Sequence, residues 1–301
     1  MAEELRKRWP GRLVFSVGSE LTLFMKGIVE GKNVFERMNN PSFWESVRTG
    51  KHNEPLNNFL RKANDTVRAA YHGPVTYFSL PFERVDWDLF EYLGVDLYRD
   101  SRSEDIYART LKYLVGTGKP VVIGEFGCCT YQGAEKLGGN GFMISFGMME
   151  DILNFKLPKL VSEMIKIIPK IDGHYIRDEG IQAREIADQL SVLDSAGVEG
   201  AFVQTFVVPN SLHVEDPRYD GDLASFSLVK SYPEEQTIEE IIQQKAKQGK
   251  DILGVEVSPE ALRKFMVEVG RHGTTYPDMP WEPKESFRAV AEYYGKHQAS
   301  L

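Results

Sequence analysis

This 301-residue chain has only two cysteines and six histidines. The cysteines are neighbours, Cys128 and Cys129. Adjacent residues rarely reach disulfide geometry, and two thiols alone do not complete a zinc site. They read as reduced thiols of a cytoplasmic protein, with a redox role left open because they follow directly on Glu125. The histidines show no ligand spacing, so neither a catalytic metal nor a cofactor is expected. Long apolar runs are also missing. Residues 4–12 are charged, the run Leu13 to Val17 is too short for a signal-peptide core, and no stretch approaches the roughly 18 apolar residues of a membrane span. Nor is there an excess of positive charge. The balance of 36 basic against 44 acidic residues, net −8, carries no basic stripe, so a nucleic-acid or anionic-membrane partner is not expected.

What the chain does hold is an ordinary globular composition, 42% hydrophobic and 27% charged, in a length that suits one large α/β domain. Two short apolar runs end in a glutamate. The first is Leu13-Val14-Phe15-Ser16-Val17-Gly18-Ser19-Glu20, and the second is Pro120-Val121-Val122-Ile123-Gly124-Glu125. A carboxylate at the carboxyl end of a buried strand is costly without partners, so two of them point to a site. Paired carboxylates across a cleft are the working parts of glycoside hydrolysis. Such a glutamate can also cap a neighbouring helix or pair with an arginine, and both roles stay open for Glu20 and Glu125.

The apolar pattern predicts five strands, at 13–19, 74–80, 94–98, 120–126 and 200–207. Most are continuous apolar runs, as in parallel strands covered on both faces. Helical spacing joins Leu56, Phe59, Leu60, Ala63 and Val67 before the second strand. Ser103 with Glu104 and Asp105 opens a helix bearing Tyr107, Leu111 and Leu114, and Ile186, Leu190 and Leu193 form another that Gly197 ends. Repeated β-then-α is the signature of a parallel sheet with right-handed crossovers. Beyond it, Asn210 to Ser227 reads as a loop whose Asp216, Asp220 and Asp222 fit a solvated turn, with a calcium site as the alternative. Residues 237–248 and 258–270 read as two amphipathic helices, an inserted hairpin within 233–275, and 283–294 reads as a closing helix with Phe287, Val290, Ala291 and Tyr294 on one side.

The order of these elements, with a set of short segments, resembles the clan of retaining glycoside hydrolases built on the (β/α)8 barrel. In particular it resembles a bacterial branch labelled abortive infection proteins. The matching segments are Gly18-Ser19-Glu20-Leu21-Thr22-Leu23-Phe24, Val85-Asp86-Trp87 and Gly94-Val95-Asp96-Leu97-Tyr98-Arg99-Asp100. They continue with Gly118-Lys119-Pro120 through Glu125-Phe126-Gly127-Cys128-Cys129, Arg177-Asp178-Glu179 with Gln182-Ala183, and Gly200-Ala201-Phe202-Val203. The last are Asp222-Leu223-Ala224-Ser225 and Trp281-Glu282-Pro283-Lys284.

The resemblance implies a single partial TIM-barrel-like domain over 1–301, holding strands four to eight. Glu20 would be general acid/base at the end of the fourth strand, and Glu125 nucleophile at the end of the seventh. Tyr98, Arg99, Trp87, Tyr131 and Phe206 would be substrate-binding residues, Tyr98 beside the nucleophile and Phe206 where the clan often has a sugar-stacking tryptophan. The partner would be a carbohydrate. The clan usually places asparagine before the acid/base, whereas Ser19 stands here, a shorter group without an amide's paired donor and acceptor. If residues 13–20 are the fourth strand, about a dozen residues precede it, against roughly 90 for three β/α units. A truncated frame, an open partial barrel whose edges are covered by the hairpin or a second subunit, and a different register all fit; the first is the expectation. The rivals to the hydrolase are a sugar-binding or phage-defence-associated module without chemistry and an inactive truncated barrel.

Overall fold

The computed structural model describes residues 2–9, 13–32, 34–146, 171, 173–208, 211–218, 220–232 and 281–297. The expected hairpin within 233–275 lies outside them. Along the chain come α1 (Ala2–Arg8), β1 (Phe15–Ser19), α2 (Leu21–Phe24), α3 (Val34–Asn39), α4 (Pro41–Thr49), α5 (Asn53–Arg68), β2 (Val75–Ser79) and a 3₁₀ turn at Trp87–Leu89. β3 (Leu93–Asp96), α6 (Glu104–Val115), β4 (Val121–Phe126), two 3₁₀ segments (Ala134–Lys136 and Gly138–Phe146), α7 (Glu179–Ala196) and β5 (Gly200–Val203) follow. The described chain closes with β6 (Val229–Ser231), β7 (Trp281–Pro283) and α8 (Glu285–His297).

Five strands form one parallel sheet in the order β1-β2-β3-β4-β5, the order of the chain itself. Each crossover therefore steps the same way, as in a (β/α) barrel segment and unlike a doubly wound sheet, where the order reverses midway. The fold class is the expected mixed α/β, TIM-barrel-like parallel fold. One crossover departs from the pattern: only the 3₁₀ turn at Trp87–Leu89 lies between β2 and β3.

Contacts divide the chain into two compact units. The first, Met1–Leu97 with Ile106–Glu125 and Val192–Phe202, holds the sheet apart from the last residues of β4 and β5. Its core is Leu56 and Leu60 of α5 packed with Ile28, Tyr71, Val75, Tyr77 and Phe90. Leu56, Leu60 and Asn64 recur at intervals of four and form the buried stripe of α5. Each fully buried leucine contributes roughly 1.5–3 kcal/mol by leaving water. Successive strand residues point to opposite faces, so Tyr77 joins α5 while Phe78 lies on the other face, its ring where a Cβ at Gly94 or Gly124 would stand.

The second unit is Tyr98–Asp105, Phe126–Ser191 and Val203–Leu301. Here β6 and β7 form a two-stranded antiparallel pair, Val229 opposite Pro283 and Ser231 opposite Trp281. The expected strand 200–207 stops at Val203. Beyond it, Thr205 N donates to Phe226 O and Leu228 N to the carbonyls of Thr205 and Phe206, so this backbone is satisfied outside the sheet. The peptide Gln204–Thr205 is cis. α8 begins two residues later than expected, after the buried Lys284, and Ala291 and Tyr294 on its anticipated apolar face are exposed. The helix is held instead by Ser286 Oγ donating to Gln182 Oε1 at 2.8 Å and Tyr293 Oη to Leu190 O at 3.2 Å.

Candidate active site

Glu20 stands directly after β1, in the left-handed backbone region at φ 48° and ψ 39°. A non-glycine residue there costs roughly 1–2 kcal/mol, and the conformation swings the chain from the strand into α2. Its amide stays tied to the sheet, donating to Phe78 O at 2.9 Å. Its side chain does not cap α2. Glu83 does that from the β2–β3 connection. Its Oε1 accepts from Thr22 N at 3.0 Å, and its Oε2 accepts from Leu80 N and Tyr77 Oη, both at 2.9 Å. Tyr77 Oη in turn accepts from Leu21 N at 2.8 Å. The first donors of α2 are thus met from β2 and the loop after it, and Glu20 carries no capping duty.

Glu125 is the fifth residue of β4 and pairs in register with Asp96, the last residue of β3, after a bulge at Val95/Asp96. Leu97 N donates to Glu125 O at 2.9 Å and holds the two strand ends together. Glu20 and Glu125 are half-buried, whereas Asp96 is 2% exposed. Ser19 Oγ donates to Asp96 Oδ2 at 2.5 Å. The other oxygen, Oδ1, is buried with no hydrogen-bond partner among the described residues.

These carboxyls act on one another. Burial, then the charges of Asp96, Glu125 and Glu83, push Glu20 up to about 8 from an ordinary 4.5. Burial, with Glu125 and Glu83, lifts Asp96 from 3.8 to about 7, opposed by the hydrogen bond from Ser19. Burial foremost, then the Glu83 charge, also raises the Tyr77 phenol. A carboxylic acid that keeps its proton near neutrality can donate it to a leaving oxygen, which an ordinary surface glutamate cannot.

The first unit thus brings Glu20 and Glu125 together electrostatically. Of the other expected site residues, Trp87 packs partly buried against the α5 core with its ring on Phe90. Four belong to the second unit. Tyr98 lies half-buried against Phe226, ring centroids 5.4 Å apart. Arg99 is gripped by Glu185 at 2.8 Å and Asp188 at 2.6 Å. Tyr131 is 1% exposed, donating its hydroxyl to Gly141 O and packing on Tyr175. Phe206 is 39% exposed and meets Trp281 and Phe287 edge to face.

The second unit has an acidic cluster of its own. Asp222 and Asp220 are 0% and 2% exposed, so the solvated turn expected of them is not what forms. Arg177 pairs with both, and Lys284, itself 0% exposed, reaches Asp222 Oδ1 at 2.8 Å. Ser225 and Ser227 hydroxyls donate to the same Oδ1, at 3.1 and 2.9 Å. Only Asp216 keeps the surface role, paired with Arg218. His213, Asp220 and Asp222 bring one ligand atom each within 4.8 Å of one another, yet Arg177 and Lys284 already balance the two aspartates. Cys128 and Cys129 are buried, and burial foremost holds both thiols well above their ordinary value, opposite to a reactive thiolate.

No protein-family model matches the sequence, and no curated protein matches it. Among solved structures, the chain is similar to one described as a complex of a GH113 beta-1,4-mannanase, at 15% identity and a TM-score of 0.38, over 68% of this chain. The aligned part spans 53% of the mannanase chain, about half its length. Among the described residues, no helix is long and apolar enough to cross a membrane.

Sequence reasoning missed two carboxyls of the site. Asp96 was readable as the acidic residue inside the apolar run Gly94-Val95-Asp96-Leu97, the same signal that singled out Glu20 and Glu125. Glu83 left no such trace, because the helix turn it caps lies 61 residues away.

Proposed function

We propose that the protein is a glycoside hydrolase of the retaining type, with Glu125 as nucleophile and Glu20 as general acid/base. One observation carries the reading. Glu20, half-exposed at a strand end and without capping duty, is held in its acid form at neutral pH by burial and by the carboxylates around it, Glu125 among them. Two carboxyls with divided roles are what double displacement needs. Glu125 attacks the anomeric carbon while Glu20 protonates the departing oxygen, giving a glycosyl ester on Glu125. Glu20, now ionised, takes a proton from water, whose oxygen displaces Glu125. Both steps run on carboxyl groups alone. Trp87, in the same unit as the two glutamates, is the candidate for a sugar contact, and a second copy of the chain is a candidate cover for the sheet edges.

The test is hydrolysis of a panel of aryl glycosides by wild type and Glu125→Gln. The variant should lose more than about 10³-fold in kcat/KM while keeping or raising its urea midpoint. An unaltered rate overturns the assignment. A second reading, a sugar-binding or phage-defence module without turnover, is favoured by Ser19. Its hydroxyl, at the position where the clan places a sugar-binding amide, donates to buried Asp96. That reading predicts glycan binding, no hydrolysis, and indifference to replacing either glutamate.

A further inference from the structure

β1 and β3 are not neighbours; β2 lies between them. Their carboxyl ends are nevertheless joined, because Ser19 Oγ donates across the end of β2 to Asp96 Oδ2 at 2.5 Å. Two glycines make room. A Cβ at Gly94 would meet the Tyr77 carbonyl and the Phe78 ring, and one at Gly124 would meet that ring and Asp96 Oδ1. Asp96 is therefore seated against the backbone of β4 one residue before Glu125, on the strand it pairs with.

Resting on the hydrolase reading above, we infer that Asp96 is a positioning residue for this site: it ties the strand end that carries Glu20 to the strands that carry Glu125, and sets a buried carboxyl beside the general acid. Its seat suits a proton carrier. An ionised carboxylate with one buried oxygen bare of partners is costly, so Oδ1 favours the neutral acid. The groups facing it are Glu125 from β4 and Glu83 from the loop after β2, with Ser19 as donor. Those facing Glu20 are Asp96, Glu125 and Glu83, with the Tyr77 phenol next to Glu83. As pH rises, Asp96 ionises near 7 and its charge then holds the proton on Glu20 until about 8. Asp96 thereby widens the pH range over which the acid stays armed, without touching substrate.

The experiment is a carboxyl ¹³C NMR titration of the whole labelled chain, with Glu20 and Asp96 assigned from Glu20→Gln and Asp96→Asn. In Asp96→Asn the Glu20 midpoint should fall by about one pH unit, tenfold in proton affinity, because a like charge is gone. The alkaline limb of kcat/KM should fall with it, a shift that loss of packing alone would not produce. Should Asp96→Asn not fold by circular dichroism, Ser19→Ala serves, keeping the carboxyl and removing its donor; the Asp96 midpoint should then rise. A Glu20 midpoint unchanged in Asp96→Asn, or an Asp96 midpoint unchanged in Ser19→Ala, overturns the inference. The titration needs no substrate. A wild-type protein that hydrolyses no glycoside would sink the hydrolase reading, while the midpoint shift would still decide the coupling of Asp96 to Glu20.

Discussion

Two groups of acidic residues, one in each unit, are built from the same side chains to opposite ends. Around Asp222 every charge has a counter-charge: Arg177 on Asp220 and Asp222, Lys284 on Asp222, and two serine hydroxyls besides. Around Glu20 the charges that act are all of its own sign, those of Asp96, Glu125 and Glu83. A buried, compensated carboxylate contributes order and resists change. A half-exposed carboxyl among like charges holds a proton that it can give away. The clusters differ in the company of cations, and Glu20 is half-exposed where Asp222 is buried.

The contrast is broken most severely from the compensated side. Asp222→Ala strands Lys284 in a fully buried position and should cost about 3–5 kcal/mol in urea unfolding. Asp222→Leu combined with Lys284→Met should lie nearer wild type than either single change, since neither charge of that ion pair is then left buried without the other and Arg177 keeps Asp220. If the double variant is the least stable of the three, the pair is worth more than its desolvation and the contrast as drawn is wrong.

The uncompensated cluster should show itself in pH. Glu20 and Asp96 both have folded values above their ordinary 4.5 and 3.8. Their contribution to stability is therefore complete below pH 4 and is lost as pH rises through about 7 for Asp96 and about 8 for Glu20. Each group adds up to about 1.4 kcal/mol of lost stability per pH unit within its window. Unfolding measured from pH 4 to 9 should give a flatter profile for Glu20→Gln than for wild type. An identical slope would mean that Glu20 titrates as an exposed glutamate. The smallest effect is expected from an ion pair belonging to neither cluster. Arg61 and Asp86, at 3.2 Å with side chains 52% and 39% exposed, should give Arg61→Ala a change within about 0.5 kcal/mol.

Much of the sheet was legible because its signals are local. Phe15 to Ser19 and Val121 to Phe126 are apolar runs that read as buried strands, and each has Glu20 or Glu125 at or near its end. The stripe of α5 and the glycine stop of α7 at Gly197, φ 78°, were equally readable. Asp220 and Asp222 were misread as a solvated turn because the cations that bury them lie far along the chain; Arg177 is 43 and 45 residues away. Arg177, Asp222 and Lys284 had each stood in a separate short segment, and nothing in their spacing joins them.

By itself the sequence determined the five strands of the parallel sheet and the placing of a glutamate at or near the carboxyl ends of two of them, because apolar period and turn chemistry act over a few residues. Tertiary structure alone decided which carboxyls are neutralised, which cap a helix and which keep a proton. Those properties depend on counter-charges and donors that the fold brings from tens of residues away, over distances of about 3 Å where electrostatics in a low-dielectric interior is strong.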